Sequence, residues 1–337
     1  VILVRSATTV RKELIDKCPG LKIIGRGGVG MDNIDVEYAR SKNISVINTP
    51  ASSSESVAEL VFAHLFSGVR FLHDANRNMP LEGDSNFESL KKAYANGVEL
   101  RGKTLGIVGI GRIGQATAKM ALGLGMKVIA SDSFIEKVDV KVAFFDGQSI
   151  TTTIKTQSLE SLFKEADFIT LHVPAQDGYI IGEAELETMK PGVGIVNCAR
   201  GGVIDEVALV KALDSGKVLF AGLDVFENEP NPEITILMNQ KISLTPHIGA
   251  ATLEAQDRIG TELADKIEGA VGFVGEQASK IPFIRTGLQS LGGSVKTIDN
   301  VMTQDQGPGG MIYRTYKNVK SASEEGFGDL AENVGVD

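Results

Sequence analysis

Short apolar runs separated by helical stretches set the plan of this chain. The runs fall at Val1 to Val4, Leu21 to Ile24, Ser45 to Ile47, Leu105 to Val108, Val128 to Ala130, Phe168 to Val173, Val193 to Asn197, Leu219 to Val225 and Ile242 to Leu244. Continuous apolar strands alternating with helices predict parallel sheets covered on both faces, an α/β fold. From Val57, the positions Val57, Leu60, Val61, Leu65 and Leu72 form the i, i+3, i+4 stripe of an amphipathic helix. The polar stretch Arg77 to Gly102 carries Pro80, Gly83, Gly97 and Gly102, which predicts a domain crossover. A first domain is expected to end near Asn96. After Lys266 the sequence turns Gly-rich and weakly periodic, through Gln306-Gly-Pro-Gly-Gly310, and predicts no regular structure.

Composition narrows the partners. The 337 residues are 42% hydrophobic, enough for two domains with cores, and 34 basic against 43 acidic side chains give a net charge of −9. That balance offers no basic footprint for nucleic acid or an anionic membrane surface. The most apolar long stretch, Val57 to Val69, contains Glu59 and His64 and is shorter than the ~20 residues that cross a bilayer. Cys18 and Cys198 make neither a disulfide framework nor a zinc spacing, so no metal and a reducing, cytoplasmic setting are expected. The chain opens on a buried strand without the basic and long apolar regions of a secretory signal, as if inside a domain.

The strand ending at Val108 runs into Gly109-Ile-Gly-Arg-Ile-Gly114, then a helix-compatible stretch from Gln115 to Leu124 and a strand ending at Asp132. Gly109 suits the tight turn, Gly111 the approach of backbone to a pyrophosphate, and Gly114 the packing of helix on strand. Asp132 stands about twenty residues on, where an acid binds adenosine ribose hydroxyls. It would repel a 2′-phosphate, and no Arg or Lys follows until Lys137, so NAD is expected over NADP.

The four histidines allow a search for a general base by enumeration. His64 falls on an apolar stripe and is expected to be packed. His73 lies on a polar helical surface and is expected to be solvated. His172 ends a buried strand and lines the cleft. His247 follows Pro246 at the C-terminal end of a strand, the edge where open α/β sheets place ligands, and is the best candidate. Other strand ends deliver Arg200, suited to holding a carboxylate by paired hydrogen bonds, and Asp224 with Glu227-Asn-Glu-Pro230, suited to fixing a histidine tautomer.

The segments Gly109 to Gly114, Asn197-Cys-Ala-Arg-Gly-Gly202, Leu223-Asp-Val-Phe-Glu-Asn-Glu-Pro230 and Thr245-Pro-His-Ile-Gly-Ala250 closely resemble the D-isomer-specific 2-hydroxyacid dehydrogenases. Val4-Arg-Ser-Ala-Thr8, Gly25 to Asp35 and Ile47-Asn-Thr-Pro50 look most like the branch that oxidises D-3-phosphoglycerate. The likeness covers residues 1 to 268. It implies two doubly wound parallel-sheet domains, a flavodoxin-like substrate domain (1–96 and 251–270, with a returning helix from Thr252 to Glu268) and a Rossmann NAD domain (97–250), with 271–337 unassigned. It implies Arg200, Glu229 and His247 as the catalytic set. NAD contacts are implied at Val29, Gly109, Gly111, Arg112, Ile113, Gly114, Asp132, Val173, Pro174, Cys198, Ala199, Asp224, Gly249 and Ala250. Arg5, Ser6, Gly27, Gly28 and Gly30 would face the substrate.

The expected reaction is NAD-dependent oxidation of D-3-phosphoglycerate to 3-phosphohydroxypyruvate, the entry to serine biosynthesis, in a homodimer or larger homo-oligomer. The alternatives are a glycerate, hydroxypyruvate or glyoxylate reductase of the same family, and a non-catalytic NAD-sensing protein. The family carries a strand and two helices ahead of the strand that opens here. A truncated substrate domain with an uncovered sheet edge is therefore expected.

Overall fold

The computed structural model describes the backbone of residues 1–279 and the side chains of residues 1–270. The first apolar runs form β1 (Ile2–Val4), β2 (Ile23–Arg26) and β3 (Ser45–Asn48), three parallel strands in the order β1-β2-β3, joined through α1 (Lys12–Lys17) and α2 (Val36–Ser41). Ile24 is fully buried, and it joins Val4, Val10, Ile15, Ala39 and Ile44 in one core.

Helix α3 (Ser54–Val69) buries Val57, Val61, Phe62 and Leu65 in a different core, with Leu105, Ile107 and Phe220 of a larger sheet. A Cβ on Gly68 would collide with the Phe220 ring, so the glycine lets the helix approach that sheet. The boundary expected near Asn96 therefore does not match the packing, which changes between β3 and α3. An amphipathic stripe announces a helix but not the sheet it closes upon.

The stretch of the expected crossover is helical. It holds α4 (Leu72–Glu82) and α5 (Phe87–Ala93), neither of which buries a residue. Pro80 lies in the last turn of α4, where the carbonyl that it leaves unpaired belongs to the exposed Asn76.

The larger sheet comprises β4 (Thr104–Val108), then β5 (Lys127–Ser131) after α6 (Arg112–Gly123). A hairpin follows, β6 (Lys137–Ala143) and β7 (Ser149–Lys155), and then α7 (Leu159–Glu165) and β8 (Phe168–Leu171). The sheet is completed by α8 (Glu183–Thr188), β9 (Val193–Asn197), α9 (Glu206–Asp214), β10 (Val218–Leu223), α10 (Ile234–Leu237) and β11 (Ile242–Leu244). Its six strands are parallel in the order β11-β10-β9-β8-β4-β5. The chain steps from β4 outward to β5 and then returns to β8, which makes the β4/β8 junction the switch point where such sheets bind ligands. The register aligns Leu244, Leu223, Asn197, Leu171, Val108 and Ser131 in one row, so the loops beyond these residues leave the sheet at one level.

The hairpin was not expected. β6 and β7 pair antiparallel from Lys137↔Lys155 to Ala143↔Ser149. Val140 and Ile154 are buried in the core that α6 also lines, while Lys137, Asp139 and Lys141 face outward. Thr156, just past the hairpin, bridges Ala130 and ties it to the β5 edge.

Helix α11 (Leu253–Ser279) is longer than the stretch expected from Thr252 to Glu268, and continues into the segment left unassigned. The remainder of that segment, Gln306 to Gly310 included, lies outside the described residues. Leu263 and Ile259 lie against β2 and the turn after it, each 3.2 Å from where a Cβ on Gly25 or Gly27 would stand. The elements from β1 into α11 form one compact unit, Val1–Ile267. Among the described residues, no helix is long and apolar enough to cross a membrane, and no cluster of His, Cys, Asp or Glu could hold a metal.

Candidate active site

Gly109 leaves β4 with φ 91°, a conformation costly for other residues, and a Cβ there would stand 2.5 Å from the His172 carbonyl oxygen. A Cβ on Gly114 would collide with the Gly109 carbonyl. Gly111 differs: nothing stands within 4 Å of its Cβ position, and as the N-cap of α6 it offers no side-chain acceptor. The first N–H groups of α6, at Arg112, Ile113 and Gly114, are thus left for an external anion at the positive end of the helix.

Asp132 does more than the sequence suggested. Its Oδ2 accepts the Ile110 N–H at 2.9 Å, and its Oδ1 accepts the N–H groups of Phe134 at 2.8 Å and Ile135 at 3.0 Å. The carboxylate clamps the glycine turn to the end of β5 and keeps one lone pair of Oδ2 for a hydroxyl. Val173, Pro174, Cys198 and Ala199 follow their strands on the same edge, and burial, with Asp224 nearby, pushes the Cys198 thiol well up. Val29 lies in the loop after β2, where its carbonyl accepts from Asn48 Nδ2 at 2.7 Å. Gly27 and Gly28 are buried in the same loop.

His247 follows β11 with its imidazole half exposed, Nδ1 2.8 Å from Glu229 Oε2. Glu229 Oε1 accepts the Phe226 N–H at 3.0 Å, which orients the carboxylate. A carboxylate only accepts, so Nδ1 carries the proton of the neutral ring and Nε2 is its acceptor. Arg200 follows β9. Its Nε donates to Asp32 Oδ2 at 3.1 Å and its Nη1 to the Ala199 carbonyl at 2.6 Å. A Cβ on Gly30 would collide with Arg200 Nη2, so the loop after β2 closes on this guanidinium. Asp32 was not among the residues singled out from sequence.

Neither was Arg26, the last residue of β2. Its Nε is buried without a partner among the described residues, and its Nη2 lies 3.4 Å from Ser6 Oγ. Burial, then the charges of Arg200 and Arg5, push its pKa down, with Asp32 opposing. Arg26 thus feels two other guanidinium groups and one carboxylate, a local excess of positive charge on a face where Arg5 and Ser6 are exposed. In the sequence the Gly25 to Gly30 stretch shows its glycines, and nothing local marks the arginine among them.

Two of the remaining histidines, His64 and His172, are held neutral by burial. His64 is buried between Ser243 and Thr245, and burial pushes it down to about 4. His172 has Nε2 3.2 Å from both Thr117 and Thr170 hydroxyls, and burial takes it down to about 3. His73, expected to be solvated, instead bonds the Gln240 carbonyl through Nε2 at 2.8 Å, because the start of α4 lies against the turn before β11. A histidine with a lowered folded pKa takes up a proton on unfolding, so its contribution is full above about 6.5 and is lost as pH falls towards 4. For His64 alone that loss approaches ~3 kcal/mol. Urea unfolding at pH 7 and pH 4.5 is expected to show a smaller acid loss in His64→Gln than in the wild type. An equal loss in both would contradict this.

Residues 62–249 match the NAD-binding domain of the D-isomer specific 2-hydroxyacid dehydrogenases, and the chain belongs to that family. It is 46% identical over 278 residues to a hydroxypyruvate reductase of Thermotoga maritima, covering 81% of this chain and 85% of that protein. It is 43% identical over 287 residues to a D-3-phosphoglycerate dehydrogenase of Methanocaldococcus jannaschii, covering 84% of this chain but only 52% of the relative, so it spans about half the length of that protein. Among solved structures, a D-lactate dehydrogenase of Aquifex aeolicus complexed with NAD and lactic acid superposes with a TM-score of 0.63 at 32% identity, over 83% of this chain and 84% of that one. The cofactor of this family is NAD, and the open Gly111 turn with the Asp132 acceptor beside it fits that group.

Proposed function

We propose that this chain oxidises D-3-phosphoglycerate to 3-phosphohydroxypyruvate, the entry to serine biosynthesis, with NAD as the oxidant. The observation that carries the phosphorylated substrate is the guanidinium cluster of Arg5, Arg26 and Arg200, with Arg26 Nε buried and unpaired. The pair His247–Glu229 supports the chemistry. His247 Nε2 takes the hydroxyl proton, while Glu229 holds the ring through Nδ1 and stabilises the imidazolium that results. Arg200, its Nη2 without a hydrogen-bond partner among the described residues, pairs with the substrate carboxylate and polarises the developing carbonyl. The nicotinamide of bound NAD would supply the acceptor for the C2 hydride. The α6 N-terminus would hold its pyrophosphate and Asp132 its ribose. Val29, Val173, Pro174, Cys198 and the strand ends at Asp224, Gly249 and Ala250 would line it. On this reading residues 97–250 with α3 bind NAD, and residues 1–48 with α11 bind substrate.

The higher identity to the Thermotoga protein, and the larger share of that protein's own length that is matched, favour a second reading, in which the same residues reduce hydroxypyruvate. A panel of phosphorylated and plain 2-hydroxy and 2-keto acids, read by nicotinamide absorbance, separates the two. On the first reading Arg26→Ala loses about 10- to 100-fold in kcat/KM for 3-phosphoglycerate, the worth of a charge-assisted hydrogen bond, and little for glycerate. Equal losses on both acids would favour the second reading, and no turnover at all would favour an NAD-sensing protein. A cytoplasmic homodimer is part of the proposal, supported by Leu72, Met79, Leu81 and Phe87, all exposed on α4 and α5.

A further inference from the structure

A buried chain of hydrogen bonds runs from α3 to the turn that carries His247. His64 is 2% exposed and lies over Gly222 of β10, where a Cβ would stand 2.5 Å from its own Cβ, so the bare strand admits an imidazole at this depth. Its Nδ1 is 2.9 Å from Ser243 Oγ and its Nε2 3.0 Å from Thr245 Oγ1. Thr245 Oγ1 donates to Asp224 Oδ1 at 2.7 Å. Asp224, 1% exposed, accepts the Ile248 N–H at Oδ1 and the Gly249 N–H at Oδ2, each at 2.8 Å. Its carbonyl oxygen accepts the His247 N–H, also at 2.8 Å.

Chemistry fixes the direction of this chain. A carboxylate only accepts, so the Thr245 hydroxyl proton is committed to Asp224 and the threonine oxygen must accept from His64. Nε2 of His64 therefore carries the proton, and Nδ1 accepts from Ser243. The low pKa of the buried ring keeps it in that neutral form near pH 7, with Asp224 and His73 the ionisable groups that act on it. The turn at the far end has need of support. His247 holds φ 54°, a left-handed backbone that a residue with a side chain keeps only where its neighbours hold it.

We propose that His64 is a positioning residue for the reaction assigned above: by holding the Thr245 hydroxyl against Asp224, it fixes the 247–249 backbone that presents His247. The catalytic part rests on the function proposed above, whereas the anchoring of the turn stands apart from it. No apolar residue could replace this device, because Thr245 would then lack the donor that sets its orientation.

Three variants of the full chain test it. In His64→Asn the amide reaches Ser243 but not Thr245. In His64→Gln the longer amide brings an N–H to the level of Nε2, and in Thr245→Val the relay is gone. His64→Asn is expected to lower kcat for the hydroxy acid about tenfold, the worth of one buried hydrogen bond, with KM near the wild type and NADH affinity falling less than kcat, since Gly249 and Ala250 of the same turn would line NAD. His64→Gln recovers most of that loss. Thr245→Val matches His64→Asn, and the double variant is no worse than either, as expected for two breaks in one chain. Amide exchange over residues 246–250 is faster in His64→Asn and Thr245→Val but not in His64→Gln. Equal losses of kcat in the Asn and Gln variants, or unchanged exchange in His64→Asn, would overturn the proposal. Absence of wild-type turnover with any 2-hydroxy or 2-keto acid would instead defeat the proposed function, and the exchange series would still decide whether His64 anchors the turn.

Discussion

His247→Ala is expected to lose roughly 10²- to 10⁴-fold in kcat for oxidation of the hydroxy acid, while NADH binds within a few fold of the wild type. On the proposed function the ring accepts the hydroxyl proton: Glu229 occupies Nδ1 at 2.8 Å and leaves Nε2 for the substrate. Alanine removes that acceptor but touches neither the glycine turn after β4 nor Asp132, the features that fit the cofactor. Kinetics with chemistry shown to be rate-limiting, alongside an NADH fluorescence titration, check both halves. A kcat within a factor of a few of the wild type would remove His247 from the proton transfer. Loss of NADH binding in proportion would mean that the substitution had disturbed the turn instead.

The second large effect belongs to Arg200. Arg200→Lys keeps the positive charge but loses the planar fork, and is expected to raise KM for the hydroxy acid and to lower kcat/KM by about 10- to 100-fold. Asp32 makes this residue informative. Its carboxylate pairs with Arg200 Nε at 3.1 Å, and on the proposed function it would compete with a substrate carboxylate for the same guanidinium. Initial rates across a range of substrate concentrations read the effect. Unchanged KM in the lysine variant would show that Arg200 meets no carboxylate in the complex.

Much of this architecture was legible in the residues. Every apolar run of the sequence reading lies on or overlaps a strand, because strands buried on both faces are written as unbroken Val, Ile and Leu. What that rule misses is a strand with one face in water. Val138, Val140 and Val142 alternate with Lys137, Asp139 and Lys141, and Asp146-Gly147 marks the turn, so the hairpin was present as a period of two rather than as a run. Helices α4 and α5 were hidden for the opposite reason: with nothing buried they show no stripe, and Pro80 and the glycines around them read as breakers.

The site divides in the same way. His247, Glu229 and Arg200 each follow a strand at its C-terminal end, which a sequence can show once the strands are placed. Arg26 closes a strand as well, but whether its side chain turns toward Arg200 depends on the β2 register and on Gly28, which leaves room for it. Asp32 and Arg200 are 168 residues apart, and nothing local to either announces the pair.

The left-handed backbone of His247 sets heat tolerance against turnover at one position. That conformation costs on the order of 1 kcal/mol for a residue with a side chain, and glycine adopts it freely. A screen that rewards only survival of heating would therefore enrich glycine at 247 and return folded proteins with the proposed proton acceptor gone. Directed evolution of this chain has to score catalysis in every round, or hold this residue fixed, since the gain in stability and the loss of the enzyme arrive in the same substitution.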